Sequence, residues 1–247
     1  MKVMNRTVLV TGGAKGIGYA ISKLFSQNNY NVIINYLNSE KEALSLQSLL
    51  DKDGYTTMVY KADVRIREQV EEMIDKGISK FGSIDVVVNN AGISQQKLFT
   101  EIDENEWDNM INVHVKGMYN CCQCVLPYMI GRKQGKIINI SSIWGITGGS
   151  CEVHYSTAKA AMIGFTKSLA KELGPSNIQV NCVAPGIIDT EMNGFLNDDE
   201  REVLIDDTPL LRFGKPEEIA YTVLYLASRQ ADFITGQVIS PNGGYVI

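Results

Sequence analysis

Apolar positions along the chain form short, mostly β-branched runs that alternate with longer stretches of helical periodicity. Runs such as Val86–Val88 are continuous, which is typical of strands whose two faces are both covered by helices. The predicted strands are Thr7–Thr11, Asn31–Asn35, Thr56–Lys61, Ile84–Val88, Gly135–Ser141, Ile178–Ala184 and Gln237–Ser240. Helical periodicity predicts helices over 16–28, 39–53, 66–80, 104–130, 153–173 and 216–228.

This alternation of strands and helices predicts an α/β protein with a single-domain, doubly wound Rossmann fold. We expect a seven-stranded parallel sheet with helices on both faces. No repeat, low-complexity tract or linker interrupts the 247 residues, so 1–247 are expected to form one domain. Ligands of such folds bind outside the carboxyl ends of the strands, and the candidate chemistry is expected there.

Composition narrows the function classes. The formal net charge of -5 disfavours nucleic acid as a partner, because phosphate binding needs a basic surface. Residues Met1–Arg6 lack the features of a secretion signal, and no apolar run approaches the ~20 residues that span a bilayer. We therefore expect a cytoplasmic location and no membrane partner. Cys121 and Cys124 have C-x-x-C spacing, but without a second pair or a histidine cluster they predict packed apolar residues and no metal site.

The segment after the first predicted strand is rich in glycine and leads into a helix. Its spacing is G-x-x-x-G-x-G over 12–18. Glycines let the backbone turn tightly and approach a pyrophosphate, and the amino terminus of the helix presents N–H groups and the positive end of its dipole. The loop therefore predicts a dinucleotide site with contacts from Gly12, Lys15, Gly16, Ile17 and Gly18.

The end of the second predicted strand indicates which dinucleotide is bound. An acidic side chain there would hold the ribose 2′-hydroxyl of NAD. This chain instead has neutral side chains, and the candidate cofactor contacts are Asn35, Tyr36, Asn38 and Ser39. Lys15 adds a cation that suits a 2′-phosphate, whereas Glu40 favours the opposite choice. The pattern favours NADP(H).

Tyr155 and Lys159 are four positions apart in a predicted helix and so share one face of it. A nearby ammonium stabilises phenolate and lowers the phenol pKa, which allows the tyrosine to give a proton to a carbonyl oxygen. Tyr19 and Lys23 repeat the spacing, so spacing alone does not identify the site. Ser142, at the end of the fifth predicted strand, distinguishes the later pair. We therefore predict a carbonyl reductase with Tyr155 as proton donor.

Nearly the whole chain resembles the short-chain dehydrogenase/reductase family. The resemblance is carried by the loop at 11–18, Asp63-Val64, Asn89-Asn90-Ala91-Gly92, Ser142, Tyr155-x-x-x-Lys159, Pro185-Gly186 and Thr190. It implies that Ser142 hydrogen-bonds the substrate carbonyl, that Tyr155 is the acid, and that Lys159 binds the nicotinamide ribose and tunes Tyr155. It further implies cofactor contacts from Asp63 and Val64 at the adenine, Asn90 at the adjacent ribose, Ile188 and Thr190 at the carboxamide, and Ala91, Gly92, Pro185 and Gly186.

The chain departs from the family pattern in the helix before the fifth strand. The family has an asparagine in a pattern like N-V-x-G, and this chain has His114 in that place. Asn112 is two positions away, roughly 200° around a helix, and is expected to face elsewhere. The usual asparagine helps to hold a water that relays protons to the lysine. An imidazole can donate and accept, so we predict that His114 keeps the relay; the alternative is that it only caps or packs.

The overall pattern is closest to reductases of 3-oxoacyl groups on acyl carrier protein in fatty acid synthesis. Arg132, Lys133 and Lys136 are candidate contacts for an acidic carrier, with a solvated turn as the alternative. Many such reductases have an arginine just before the sixth strand, where this chain has Ser176-Asn177. The family commonly forms tetramers through the helices at 104–130 and 153–173, so a homotetramer is expected.

A second resemblance predicts a different substrate. The segments 143–148, 150–154 and 240–244 look like a bacterial branch of the family, some members of which are thought to reduce a 5-aminopentanone group on a lysine of elongation factor P. Glu152 and His154 flank Tyr155 and are candidates for binding an amine or alcohol, although Glu152 also fits a solvated first-turn acid. A non-catalytic NADP(H)-binding sensor is a remote alternative, against which the intact Ser142, Tyr155 and Lys159 argue.

Overall fold

The computed structural model describes residues 5–194 and 196–247. Residues 1–4, on which the expected lack of a secretion signal partly rests, lie outside that range. The strands are β1 Thr7–Val10, β2 Asn31–Tyr36, β3 Thr57–Lys61, β4 Val86–Asn89, β5 Gly135–Ile140, β6 Ile178–Val183 and β7 Val238–Ile239. The helices are α1 Gly16–Gln27, α2 Glu40–Lys52, α3 Arg67–Phe81, α4 Glu104–Ile111, α5 Gly117–Arg132, α6 Trp144–Thr147, α7 Val153–Leu173, α8 Asp198–Asp206 and α9 Pro216–Ala227.

The strands form one parallel sheet in the order β3-β2-β1-β4-β5-β6-β7. β1 pairs with β2 on one side and β4 on the other, so the chain reverses its direction of winding beside β1. Such a reversal opens a crevice at the carboxyl ends of the strands. The predicted Rossmann-type α/β fold is confirmed, and every predicted strand is present.

Helices cover both faces of the sheet, as the continuous apolar runs predict. Within β1, Val8 and Val10 pack into the core on one face with α1 and α9. Leu9 lies between them and packs into the core on the other face with α3 and α5. Because both faces are buried, polar positions along the strands are few. No helix in the described part of the chain is long and apolar enough to cross a membrane.

The helix predicted over 104–130 is present, but it contains an unpredicted π-helical turn. α4 and α5 are separated by a π-helical turn at Asn112–Lys116, in which the N–H of Gly117 donates to the carbonyl of Asn112, five positions earlier. Gly117 lets this wider turn sit against the sheet edge, because a Cβ there would lie 2.6 Å from Val64 Cγ2. Such turns add one residue to a helix and are frequent at functional sites.

Two helices were not predicted. α6 has only four residues and follows Ser142 directly. α8 begins with a capping box between Asn197 and Glu200 and contains no buried residue, so the apolar stripe that reveals most helices is missing. Both lie at the carboxyl edge of the sheet, where they contribute to the walls of the crevice.

A chain of buried amides joins three elements in the core. The Asn89 side chain donates to Asn139 Oδ1 at 2.8 Å, and Asn139 donates to Thr166 Oγ1 at 2.8 Å. All three side chains are buried, so each lost bond leaves polar atoms without water. This chain fixes the register of β4 against β5 and the position of α7 above them.

We expect Asn139→Leu to lower the free energy of unfolding by about 2 to 4 kcal/mol, because two buried polar partners lose their bonds. Denaturant unfolding measures the change. Gln27→Ala, at the exposed end of α1, serves as the control and should change stability by less than about 0.5 kcal/mol. Equal stability of Asn139→Leu and the wild type would contradict the structural role of the amide chain.

Candidate active site

The side chains of Ser142, Tyr155 and Lys159 come together at the carboxyl end of β5. Ser142 lies just beyond that end, and Tyr155 and Lys159 occupy the first two turns of α7. Lys159 Nζ donates to the Ile140 carbonyl at 2.8 Å and lies 5.4 Å from the centre of the Tyr155 ring. The Ser142 hydroxyl lies near the Tyr155 phenol, whose pKa it lowers. The three residues predicted for catalysis thus share one wall of the crevice.

A close approach between α6 and α7 holds this wall in place. Ser141 Oγ donates to the Lys159 carbonyl at 2.8 Å. A Cβ on Gly145 would lie 2.7 Å from the Lys159 carbonyl carbon, so only glycine allows the two helices to pack this closely. Tyr19, the earlier tyrosine with the same spacing to a lysine, lies on α1 and packs against the core.

Burial dominates the electrostatics of the pair. It raises the pKa of Tyr155 well above its ordinary value, while the Ser142 hydroxyl lowers it and Glu152 adds to the rise. Burial also lowers the pKa of Lys159 to about 8. The expected lowering of the phenol pKa by the ammonium is therefore not found, because desolvation outweighs the favourable contacts. A phenol in this state is protonated at neutral pH.

His114 lies against Tyr155. Its ring meets the tyrosine ring edge to face, with centroids 5.5 Å apart, and the residue is 2% exposed. His114 Nε2 lies 2.8 Å from the Ile93 carbonyl and 3.3 Å from the Ile93 nitrogen, and the shorter contact places the proton on Nε2. A Cβ on Gly92 would lie 2.5 Å from His114 Cε1, so the ring fills space that glycine leaves.

The imidazole of His114 is neutral. Burial, and then the nearby Lys159 ammonium, hold its pKa well below the ordinary value. With the proton on Nε2, Nδ1 is a buried acceptor that no described group satisfies. Asn112 is only half-buried and is not among the described residues that line the cavity. His114 Nδ1 is therefore a buried hydrogen-bond acceptor beside Tyr155.

Two cavities meet along the crevice. The first, of about 170 Å³, has Ser142, Tyr155, Lys159 and His114 in its wall, together with Ile17, Asn90, Gly92, Pro185, Gly186, Ile188 and Thr190. The second, of about 210 Å³, is lined by Gly12, Lys15, Asn35, Tyr36, Asn38, Ser39, Asp63, Val64, Ala91 and Gly92. Gly92 lines both. The structure thus brings together all predicted catalytic and cofactor residues except Gly16 and Gly18, which lie in the first turn of α1.

The glycine loop fits a dinucleotide. Gly12 and Gly16 have φ values of 60° and 50°, and a Cβ on Gly12 would lie 3.0 Å from Ala91 Cα. A Cβ on Gly18 would collide with the Gly12 carbonyl oxygen. The first turn of α1 contains no acidic residue, and Lys15 at its N-cap makes no side-chain cap bond. The N–H groups of this turn can therefore donate hydrogen bonds to a pyrophosphate.

At the other end of the crevice, two of the predicted contacts are already engaged. The Asn35 side chain is buried; its oxygen accepts from the Gly12 N–H at 3.3 Å and its nitrogen donates to the Ala62 carbonyl at 2.9 Å. The Tyr36 hydroxyl donates to Glu40 at 3.2 Å. Asn35 thus supports the glycine loop, and Lys15, Asn38 and Ser39 remain as polar contacts for a ligand.

Arg65 is a cation of the second cavity that sequence reasoning missed. Its guanidinium donates to both carboxylate oxygens of Asp63, one of them at 2.6 Å, and to Asn109 Oδ1 at 2.7 Å. These bonds hold the pKa of Asp63 below its ordinary value. Its position two residues after Asp63 was the available signal, but the contact with Asn109 on α4 is set only by the fold.

Glu152 is buried, so the interpretation as a solvated acid is wrong. It precedes the first turn of α7, is 7% exposed and lines the first cavity. Burial raises its pKa to about 7, and no described group bonds its Oε2. His154 is fully buried, with Nε2 at 3.0 Å from Gln95 Oε1, and is not among the described residues of the cavity wall.

Two of the three residues expected to bind an acidic carrier already have partners within the chain. Arg132 donates to Asp85 at 2.9 Å and to the Ile84 carbonyl at 2.7 Å. Lys136 is 5% exposed and pairs with Asp232 at 2.7 Å. Both lie near the start of β5, whereas the cavity lies beyond its end, about 20 Å away along the strand. Lys136 is therefore not available to a carrier, whereas Arg132 and Lys133 are exposed and stay predicted contacts.

An open α/β sheet with a glycine loop at its first strand and a buried Ser-Tyr-Lys group beside the crevice defines an oxidoreductase that acts on carbonyl or alcohol groups. The family model described as enoyl-(acyl carrier protein) reductase matches residues 12–246. The chain belongs to the short-chain dehydrogenase/reductase family, whose members bind a nicotinamide cofactor.

Curated relatives are similar over nearly their full length. The chain is 43% identical to a protein of Chlamydia muridarum over 98% of both chains and 43% identical to one of Thermotoga maritima over 100% of both. It is 42% identical to a protein of Staphylococcus epidermidis over 98% of this chain and 99% of the relative. Each of the three is named 3-oxoacyl-(acyl-carrier-protein) reductase FabG.

We expect Glu152→Gln to stabilise the ligand-free protein at pH 8 by roughly 2 kcal/mol. The folded state keeps the Glu152 proton up to about pH 7, whereas the ordinary pKa is 4.5, so stability falls as pH rises through that window. The amide substitution removes this penalty and should change little at pH 4. Denaturant unfolding at both pH values measures the difference.

The control is Glu202→Gln, which removes an equal charge from an exposed position on α8. Its effect on stability should be small and the same at both pH values. A Glu152→Gln variant that is no more stable than the wild type at pH 8 would contradict the buried, unpartnered state of the carboxyl.

Proposed function

We propose that this protein reduces the ketone of 3-oxoacyl chains carried on acyl carrier protein to a secondary alcohol, with NADPH as reductant. The observation that carries the proposal is the meeting of Ser142, Tyr155 and Lys159 on one wall of a cavity that joins the glycine loop. The three relatives named above, at 42 to 43% identity, support the choice of substrate.

In the proposed reaction two hydroxyls receive the substrate. The Ser142 hydroxyl donates a hydrogen bond to the ketone oxygen and orients it towards Tyr155, which gives its proton to the same oxygen. A bound nicotinamide supplies the hydride. Because the cavity wall is buried, negative charge that develops on the oxygen is stabilised by these donors with little competition from water. The high pKa of the buried phenol keeps the proton available.

Lys159 supports this step from behind the tyrosine. Its ammonium is held by the Ile140 carbonyl and faces the Tyr155 ring, so it stabilises the phenolate that forms when the proton leaves. The phenolate then takes up a replacement proton, and His114 Nδ1, a buried acceptor beside the tyrosine, can hold the water that delivers it. Gly16, Ile17, Asn90, Ile188 and Thr190 hold the dinucleotide along the crevice.

The choice of NADPH rests on the second cavity. No acidic side chain lines it at the end of β2, while Lys15, Asn38 and Ser39 offer a cation and two neutral hydrogen-bonding groups. These suit a 2′-phosphate better than a 2′-hydroxyl. We also infer a homotetramer, which is supported by the exposed apolar side chains Tyr119, Tyr128 and Ile130 on α5.

A second substrate is favoured by the charge around the first cavity. Its wall contains the buried carboxyl of Glu152, and Leu196 and Leu204 bring α8 to its mouth. The exposed surface of α8 carries Asp198, Asp199, Glu200, Glu202 and Asp206. Such a mouth repels an acidic carrier and attracts a cation. The alternative is therefore an amine-bearing ketone, the 5-aminopentanone group on elongation factor P.

NADPH oxidation with a substrate panel tests the proposal. We expect turnover with acetoacetyl thioesters and faster turnover with carrier-bound 3-oxoacyl chains, and no reduction of the matching 2-enoyl thioesters. Tyr155→Phe should lose at least about 100-fold in kcat, because the proton donor is gone, while NADPH binding remains. Reduction of modified elongation factor P alone would replace the first substrate by the second. Full function of Tyr155→Phe would favour the non-catalytic sensor.

The pH–rate profile of His114→Leu tests the relay. We expect kcat to fall by about tenfold or more and the pH dependence of kcat to change, because leucine offers no acceptor for the relay water. His114→Asn introduces the residue usual in the family and should keep more of the rate. Lys116→Gln, an exposed change in the same π-helical turn, should leave the profile as it is. An unchanged rate and profile in His114→Leu would show that the histidine only packs against Tyr155.

A further inference from the structure

The Lys15 ammonium is shared by two carboxylates from different parts of the molecule. Its Nζ lies 3.0 Å from Glu42 Oε1 and 3.2 Å from Glu191 Oε2. Glu42 is in the first turn of α2, and Glu191 follows Thr190 in the segment that lines the first cavity. Lys15 thus connects the glycine loop to both ends of the crevice.

Lys15 is also the available cation of the second cavity. Among the described residues that line this cavity, Lys15 and Arg65 carry positive charge. Arg65 is already bonded to both oxygens of Asp63 and to Asn109. A 2′-phosphate that enters the cavity must therefore find its cation in Lys15, whose donors are partly used by carboxylates. The phosphate and the carboxylates are in competition for one ammonium.

We propose that Glu42 is a specificity-determining residue that weakens binding of the 2′-phosphate by holding Lys15, and so narrows the preference for NADPH over NADH. The inference rests on the proposed use of NADPH. Phosphate also carries close to two negative charges, so it does not join Glu42 at Lys15 without repulsion. Glu191 is the weaker competitor, because its contact is longer and its side chain is 80% exposed.

Glu40, the acidic residue that by sequence disfavours a 2′-phosphate, makes a different contact. Its carboxylate accepts the Tyr36 hydroxyl at 3.2 Å and makes no ion pair with Lys15 in the described structure. Glu40 and Glu42 thus place equal charges in the same helical turn, but only Glu42 engages the ammonium. This difference provides a matched control.

The test compares binding of adenosine 2′,5′-bisphosphate and AMP, which differ only in the 2′-phosphate, to the full chain by calorimetry at low ionic strength. We expect Glu42→Gln to tighten binding of the bisphosphate by about fivefold, the range of an exposed ion pair. AMP binding should change by less than about twofold. The gain should shrink in high salt, since side chains exposed at 41% and 43% are screened. NADPH and NADH should follow the same pattern.

Two further variants make the mechanism falsifiable. Glu40→Gln should change the ratio of the two affinities by less than about twofold. An equal gain in Glu40→Gln would show that Glu42 acts through general charge repulsion and not through its contact with Lys15. In a Lys15→Met background the effect of Glu42→Gln should disappear, and its persistence would overturn competition for the ammonium. Unchanged or weaker bisphosphate binding in Glu42→Gln would overturn the proposal itself. Failure of 3-oxoacyl reduction leaves these binding ratios intact, so the two proposals fail separately.

Discussion

A buried ammonium at the end of β5 is the interaction on which the rest of the site depends. Lys159 is 4% exposed, and its charge is stabilised inside the protein by the Ile140 carbonyl. A buried charge without a partner costs several kcal/mol. The carboxyl end of β5 therefore has to stay where the first two turns of α7 can reach it. The bond from Ser141 to the Lys159 carbonyl and the close packing of Gly145 follow from the same constraint. Once these are in place, Ser142 and Tyr155 have little freedom to move apart.

In the site, burial shifts the pKa of each titratable group away from its ordinary value and favours its neutral form. The Tyr155 phenol holds its proton more tightly than in water, the His114 imidazole does not take one, and the Glu152 carboxyl keeps one to about pH 7. Each shift makes the ligand-free protein less stable at some pH than a protein with a polar or apolar substitute would be. In the core, the amide nitrogens of Asn89 and Asn139 each donate to a buried acceptor, although Asn89 Oδ1 has no described partner. The sheet and its core thus stabilise the protein, whereas the buried groups of the crevice lower its stability.

Sequence predicts the parts of this molecule whose signals are local. Continuous apolar runs mark the strands to within two residues, since burial on both faces leaves no other pattern. The glycine loop and the Tyr155–Lys159 pair are also local, because their geometry follows from a turn and a helix. The rest depends on contacts distant in sequence. The burial of Lys136 needs Asp232, and the ion pair of Lys15 needs Glu191. The π-helical turn between α4 and α5 is not predicted, because an apolar stripe does not reveal one extra residue in a turn. Glu152 was misjudged because acids at helix starts are commonly solvated.

The π-helical turn at Asn112–Lys116 gives the site an unusual route to change. A helix that contains one surplus residue can lose it and still remain a helix, so a single-residue deletion here is a rotation of about 100° rather than a rupture. The side chain presented to Tyr155 is then exchanged for a neighbour while the cavity wall stays in place. A deletion in this turn would therefore change which side chain lies beside the proton donor, while the sheet and α7 keep their structure.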